Sequence, residues 1–247
     1  MSEHDMVGWP RIRLKHVATI NDETLSESTP PEYELAYLDI SSVDSTGTVS
    51  PPEVLSFENA PSRARRIARD GDVVISTVRT YLKAIAPIES PPANLVVSTG
   101  FAVIRPLPDK LSPHFCKYAL RSPAFISEVQ RLSVGVNYPA INASDLAGIE
   151  IPVPPLDQQH TIAIYLDRET ARLDILAASY RELIEQLAEK RRALIAHAVT
   201  CGLDPGGAMK DSGVEWLGEI PAHWSVARMV DVTPLANGHP FDSEYFV

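Results

Sequence analysis

Apolar and polar positions follow two regimes along this chain. Up to about residue 110, apolar residues come in short runs rich in Val, Ile, Thr and Tyr, broken by turn residues, and such runs predict strands. Arg11–Ile20 (RIRLKHVATI) reads as a short strand or strand-to-helix pattern carrying Ile12, Leu14, Val17 and Ile20. Asn21 to Pro31 is a polar, acidic loop, and Tyr33–Val43 is the next β-favouring run, closed by the turn Asp44-Ser45-Thr46-Gly47. Pro51-Pro52 keeps the following stretch irregular. Asp70-Gly71 is a turn into Asp72–Arg79 (DVVISTVR), and Tyr81–Ile88 and Leu95–Pro106 are further strands. Ser112-Pro113 and Ser122-Pro123 then announce two short helices, since Ser suits the N-cap and Pro the first helical turn. Those helices are expected to bury Phe115, Tyr118, Leu120, Phe125, Ile126 and Leu132. Gly135–Ile141 (GVNYPAI) is a loop with an extended residue before Pro139.

The second regime runs from Asp157 to Cys201, a stretch without Gly or Pro, with Asp157 as N-cap and Gly202 as the residue just past the C-terminus. As a helix it would be roughly 65 Å long. A heptad seam runs along it: Ile162, Leu166, Glu169, Leu173, Leu176, Tyr180, Leu183, Leu187, Lys190, Leu194 and His197. Eight of these eleven positions are apolar, so on the order of 10–20 kcal/mol of burial awaits a partner surface. A solitary helix cannot leave that in water, so another helix is expected against it. Glu169, Lys190 and His197 are polar seam positions of the kind that fix register. The fold class is therefore expected to be α+β: a mixed, mostly β domain and then one long coiled-coil-type helix.

Composition adds limits. The 247 residues carry a net charge of −10, which counts against a free-standing nonspecific nucleic-acid binder. Cys116 and Cys201 form no pattern and are expected as free thiols in a reducing compartment. No run of signal-peptide or membrane-spanning length occurs, so a cytoplasmic protein without membrane association is expected. The seven histidines (His4, His16, His114, His160, His197, His223, His239) show no metal-ligand spacing, and no phosphate-binding glycine loop is present. His114 and Cys116 lie close in sequence, but a nucleophilic pair needs a third, orienting group. No catalytic constellation, metal site or cofactor is expected.

Charge is uneven. The first 60 residues set three cations against eleven carboxylates, whereas from Pro61 to Arg105 seven cations face three carboxylates. Arg63, Arg65, Arg66 and Arg69 are candidates for gripping phosphates, the alternative being a solvated loop with no partner. Arg79 and Lys83, at and after a strand end, could enter a major groove, where Arg reads guanine; a surface salt bridge is the competing role for each. In GVNYP, the Asn137 amide could pair with adenine and the Tyr138 ring could pack on sugar or base, unless Tyr138 covers the domain core.

Taken in order, these pieces resemble the specificity subunit of type I restriction–modification enzymes. The resemblance rests on Gly71–Arg79 (GDVVISTVR), Ser98–Pro106 (STGFAVIRP), Ile149–Asp174 (IEIPVPPLDQQHTIAIYLDRETARLD) and Asp211–Met229 (DSGVEWLGEIPAHWSVARM). It implies a target-recognition domain over 1–150 and a spacer and dimerisation helix over 151–203. Residues 204–247 would be a linker and the start of a second recognition domain, cut short at Val247. Trp224-Ser225-Val226-Ala227-Arg228-Met229 weakly echoes Trp9-Pro10-Arg11-Ile12-Arg13-Leu14, in keeping with the start of a second copy, for which the residues that follow are too few to be complete. The family implies a non-catalytic subunit that reads double-stranded DNA and docks methyltransferase subunits and, through them, a restriction subunit. Having one helix, the chain is expected to pair with a second copy of itself. The alternative from the residues alone is a coiled-coil adaptor whose β domain binds protein, for which the acidic balance speaks.

Overall fold

In the computed structural model, which describes residues 8–233, the chain divides after Thr170 into two compact units. His4, His239 and the last fourteen positions of the expected second-domain start lie outside the described residues.

The first unit is built on sheets buried on both faces. Its strands are β1 (Arg11–Arg13), β2 (Ala18–Ile20), β3 (Glu34–Leu38), β4 (Glu53–Ser56), β5 (Ala64–Ile67), β6 (Val73–Ser76), β7 (Ile85–Pro87), β8 (Leu95–Ser98) and β9 (Phe101–Pro106). Helices α1 (Pro113–Ala119), α2 (Pro123–Leu132) and α3 (Ala143–Gly148) come next, and β10 (Glu150–Pro152) pairs antiparallel with β1. One four-stranded antiparallel sheet has the order β2-β9-β6-β7; the other, β4-β3-β8-β5, contains a parallel β3–β8 pair. Side chains alternate between faces along a strand. Val73, Ile75, Ala102 and Ile104 face the helices, while Val74, Phe101 and Val103 meet Ala36, Leu38, Leu95 and Val97 of the second sheet. Leu35, Tyr37 and Val96 form a third layer on the outer side of that sheet with Ala64, Leu55 and Phe57. Burial on both faces is why VVIS and FAVI read as unbroken apolar runs rather than alternating ones.

Several expected elements are redrawn. Leu95–Pro106 is not one strand but two, β8 and β9, in different sheets; the chain turns at Thr99-Gly100, where a Gly100 side chain would run into Ile40. Tyr81–Ile88 holds only β7, because Thr80–Leu82 is a 3₁₀ turn flanked by left-handed residues. The polar strands β4 and β5 and the short α3 carry too little apolar periodicity to be seen in sequence. Ser122 caps α2 by accepting from Phe125 N–H at 3.3 Å, as expected, whereas the Ser112 hydroxyl makes no cap bond. Cys116 is fully buried, and burial pushes its thiol far above its ordinary pKa, so it stays protonated while His114 lies exposed.

The long helix, α4, runs Leu156–Cys201. It starts one residue earlier than expected, so Asp157 sits in its first turn and does not cap it. Gly202, at φ +78°, takes the left-handed conformation that ends it. Its first turns belong to the β domain. Gln159 is fully buried; its Oε1 accepts Ser112 N–H at 2.8 Å and its Nε2 donates to the carbonyls of Lys110 (2.9 Å) and Pro154 (2.8 Å). Ala163 is buried, and Ile162 packs on the domain core rather than standing on an open seam. Further along, Asp167 receives Lys117 Nζ at 2.8 Å and the Tyr118 hydroxyl at 2.7 Å, while Lys117 also reaches Glu89 at 3.1 Å.

In the second unit, Leu173, Leu176, Tyr180, Leu183, Leu187 and Leu194 are all exposed, from 47% at Leu183 to 66% at Leu194. A hairpin of β11 (Met209–Asp211) and β12 (Glu219–Pro221) comes after the helix, then a single helical turn, α5 (Met229–Val232). No helix among the described residues is long and apolar enough to cross a membrane.

Candidate nucleic-acid interface

The strand registers place several chain ends together. Leu38 pairs with Val97, Ala64 with Ser98, Ser76 with Phe101, and Ile75 with Ile85. One end of the sandwich therefore collects the segments leaving β3, β6 and β8 and those entering β5, β7 and β9. The loop between α2 and α3 closes onto the same end: Ile141 N–H donates to Thr77 carbonyl (2.9 Å), Thr80 N–H to Pro139 carbonyl (3.3 Å), and Thr80 Oγ1 bonds Ser133 Oγ at 2.8 Å. Arg63, Arg79, Lys83, Asn137 and Tyr138, distant in sequence, thus share one surface. In the segments 39–41, 62–63, 77–83, 99–100 and 133–140 that build it, Asp39 is the one carboxylate against Arg63, Arg79 and Lys83.

The three cations differ in their ties. Arg63 donates to the Tyr37 hydroxyl and to Asp39, each at 3.1 Å; the Tyr37 bond and the Asp39 charge hold its pKa above the ordinary value. Arg79 stacks its guanidinium over the Tyr138 ring, 5.0 Å from the centroid, and neither Arg79 nor Lys83 forms an ion pair among the described residues. Both stand in left-handed backbone, φ +52° and +54°, on either side of the 3₁₀ turn Thr80–Leu82. That conformation is uncommon for residues with side chains, and such strained positions cluster at functional sites. Both side chains are exposed to water.

The four arginines from 63 to 69 do not act as one cluster. Arg63 belongs to this end, but Arg69 lies past the other end of β5, where its guanidinium meets Glu23 at 2.7 Å. There Arg105 holds the buried Asp72 in a two-point pair (3.0 and 2.9 Å) and reaches Asp22 at 2.8 Å. Cations and carboxylates neutralise one another at that end. Between them on β5, Arg65 lies over the Phe57 ring and donates to the Ala64 carbonyl, and Arg66 is half-buried, its pKa lowered by burial, with one guanidinium nitrogen unpartnered. A groove of about 540 Å³ lined by Arg11, Arg13 and Arg131 is likewise balanced, Arg131 pairing with Glu128 at 2.6 Å and Arg13 lying 3.9 Å from Glu150.

Sequence reasoning missed Tyr81, Leu82, Val134 and Val136. Tyr81 and Leu82 fall within an expected strand, and the valines belong to a stretch whose Asn and Tyr carry the more obvious chemistry. All four project from the same end, Val136 almost entirely, at 98% exposure. No group of three or more His, Cys, Asp or Glu side chains able to hold a metal occurs among the described residues.

Comparison with known proteins agrees with this architecture. A putative type I restriction enzyme MjaX specificity subunit from Methanocaldococcus jannaschii is 26% identical over 162 residues, covering 64% of this chain and 36% of the relative. The EcoKI specificity subunit of Escherichia coli is 31% identical over 85 residues, 34% of this chain and 18% of that one. Among solved structures, the HsdS subunit from Thermoanaerobacter tengcongensis superposes with a TM-score of 0.66 at 29% identity, over 84% of this chain and 53% of its own length. The chain thus spans about half of that subunit and little more than a third of the MjaX one. The model of the type I restriction modification DNA specificity domain matches residues 6–186, taking in the whole β domain and the first two thirds of α4, and the chain belongs to that family.

Proposed function

We propose that this chain is the DNA-recognition subunit of a type I restriction–modification complex, reading one half-site with the domain over 1–150 and carrying no catalytic step itself. The observation that supports this best is the single end of the sandwich where Arg79 and Lys83, free of ion pairs among the described residues and held in left-handed backbone, stand beside Asn137 and Tyr138. Exposed cations supply affinity for phosphate that falls with salt, and side chains projecting from fixed loops supply base contacts. Arg63 and the β5 arginines Arg65 and Arg66 would flank the duplex; Arg69 would contribute least, being held by Glu23.

The exposed seam of α4, from Leu173 to Leu194, would pair with the same seam of a second copy. Ile175 is also exposed, on a face of the helix turned away from the seam. That face would dock a methyltransferase subunit, and through it a restriction subunit. Co-expression with a type I methyltransferase chain from the same cell, followed by mapping of methylated bases, tests the assignment. The expected result is methylation confined to one gapped sequence. Methylation that ignores sequence, or none above that of the methyltransferase alone, would overturn it.

A further inference from the structure

Two exposed valine side chains, Val134 and Val136, stand at the recognition end. Val134 and Ala140 exchange both backbone hydrogen bonds, at 2.9 and 3.0 Å, and Ala140 also bridges to Val78. The five residues between them form a closed loop tied to the sheet end. Gly135 sits at φ +122°, and a Cβ there would come within 3.0 Å of the Tyr138 carbonyl, so the loop's bend requires glycine. The consequence is that Val136 is held out at the tip at 98% exposure, with Val134 at 79% and Tyr138 at 66% beside it. A side chain kept in water by a fastened loop differs from one on a fraying segment. Its apolar surface is available to a partner.

Charge narrows what that is. Apolar protein–protein contact surfaces are depleted of charge at their centres, yet these valines share their end with Arg79 and Lys83, neither neutralised by a carboxylate among the described residues. The surface that is anionic along its rails and apolar at fixed points between them is a DNA major groove, where thymine presents its C5 methyl group. A valine carries no donor or acceptor, so it can tell thymine from the other unmodified bases by that methyl alone. Resting on the DNA-recognition reading above, we infer that Val136, supported by Val134, is a specificity-determining residue that seats against a thymine methyl, with Arg79 and Lys83 on the flanking groups.

The test uses the full chain assembled with its methyltransferase and the sequence obtained by methylation mapping. Binding is measured by fluorescence anisotropy on duplexes in which each thymine of the half-site is replaced in turn by uracil, which keeps every hydrogen bond and removes only the methyl. Expected is a loss of about three- to tenfold at one or two adjacent positions, from the buried methyl surface forfeited. In Val136→Ala that loss should shrink towards onefold, whereas in Arg79→Ala it should persist on top of weaker overall binding. Uracil bound as well as thymine at every position, a half-site lacking thymine, or a uracil penalty undiminished in Val136→Ala would each overturn the inference while leaving sequence recognition standing. Binding with no sequence preference would overturn the recognition reading and the loop assignment together.

Discussion

At the scale of single residues, what distinguishes the cations of this chain is the company each keeps. Arg69, Arg105 and Arg63 are engaged by carboxylates; Arg79 and Lys83 are engaged by none among the described residues. A cation already paired releases little on meeting a phosphate, because one ion contact replaces another. An unpaired one displaces a counterion from the DNA, and each such contact steepens the fall of affinity with salt. Arg79→Ala should therefore lower affinity and reduce the slope of log K against log salt by about one unit. Arg69→Ala should leave that slope unchanged, and a titration across a few salt concentrations separates the two. Equal slopes for both variants would remove Arg79 from the phosphate contacts. The sequence showed that residues 61–105 are basic, and it placed Arg79 and Lys83 at a strand end. It could not show which arginines are neutralised, since Glu23 and Asp39 lie 46 and 24 residues from the arginines they hold.

At the scale of elements, the long helix is legible because its signals are local: a proline cluster before it, a glycine after it, and an apolar period between. Its attachment to the β domain was not, because Gln159 and Asp167 look like ordinary polar helix residues until Ser112, Lys117 and Tyr118 are brought to them. The same limit applies to β8 and β9, where burial on both faces erased the alternation that would have marked two strands. Partial burial works to raise the Asp167 pKa, but the bonds from Lys117 and Tyr118 outweigh it and hold the carboxyl below its usual value. Partial burial likewise works to lower the Lys117 pKa, and its two carboxylate partners hold it above the usual value instead. A carboxylate whose pKa is depressed on folding stabilises above its unfolded pKa, and that stabilisation disappears as pH falls through the folded value. The raised lysine behaves oppositely, losing its contribution only as pH rises through its own folded value. The pair should stabilise across the whole range between. Because Asp167 is 43% exposed, solvent screens the interaction, and Asp167→Asn is expected to cost no more than about 1 kcal/mol at neutral pH. Denaturant unfolding should show that difference shrinking as pH falls through the ordinary carboxylate range and closing below it. A difference that stays constant into acid would mean that the side chain acts through packing or its Tyr118 bond and not through its charge.

At the scale of the whole molecule, the −10 net charge and the proposed grip on DNA have to be reconciled. Charges more than about 8 Å from a duplex are largely screened at physiological ionic strength, so the end proposed to touch DNA would decide the sign of the interaction, not the total. One such end is a small footprint. Two copies joined through α4 would carry two, and a two-fold pair makes the sequence it reads an inverted repeat. The same seam that leaves Leu173, Leu176, Tyr180, Leu183, Leu187 and Leu194 in water would supply the proposed means of joining. Light scattering on the full chain is expected to give the mass of two copies at micromolar concentration. Leu183→Asp, which puts a charge into the middle of the seam, should shift it to the mass of one without lowering the unfolding midpoint of the β domain, whose core lies elsewhere. Methylation directed by the unaltered chain should then fall on a palindromic, gapped site, and directed by Leu183→Asp it should be lost, since one half-site grip alone has to compete with the whole genome. A single-copy mass for the unaltered chain, or an asymmetric methylated site, would show that the seam is filled by a helix of a different chain.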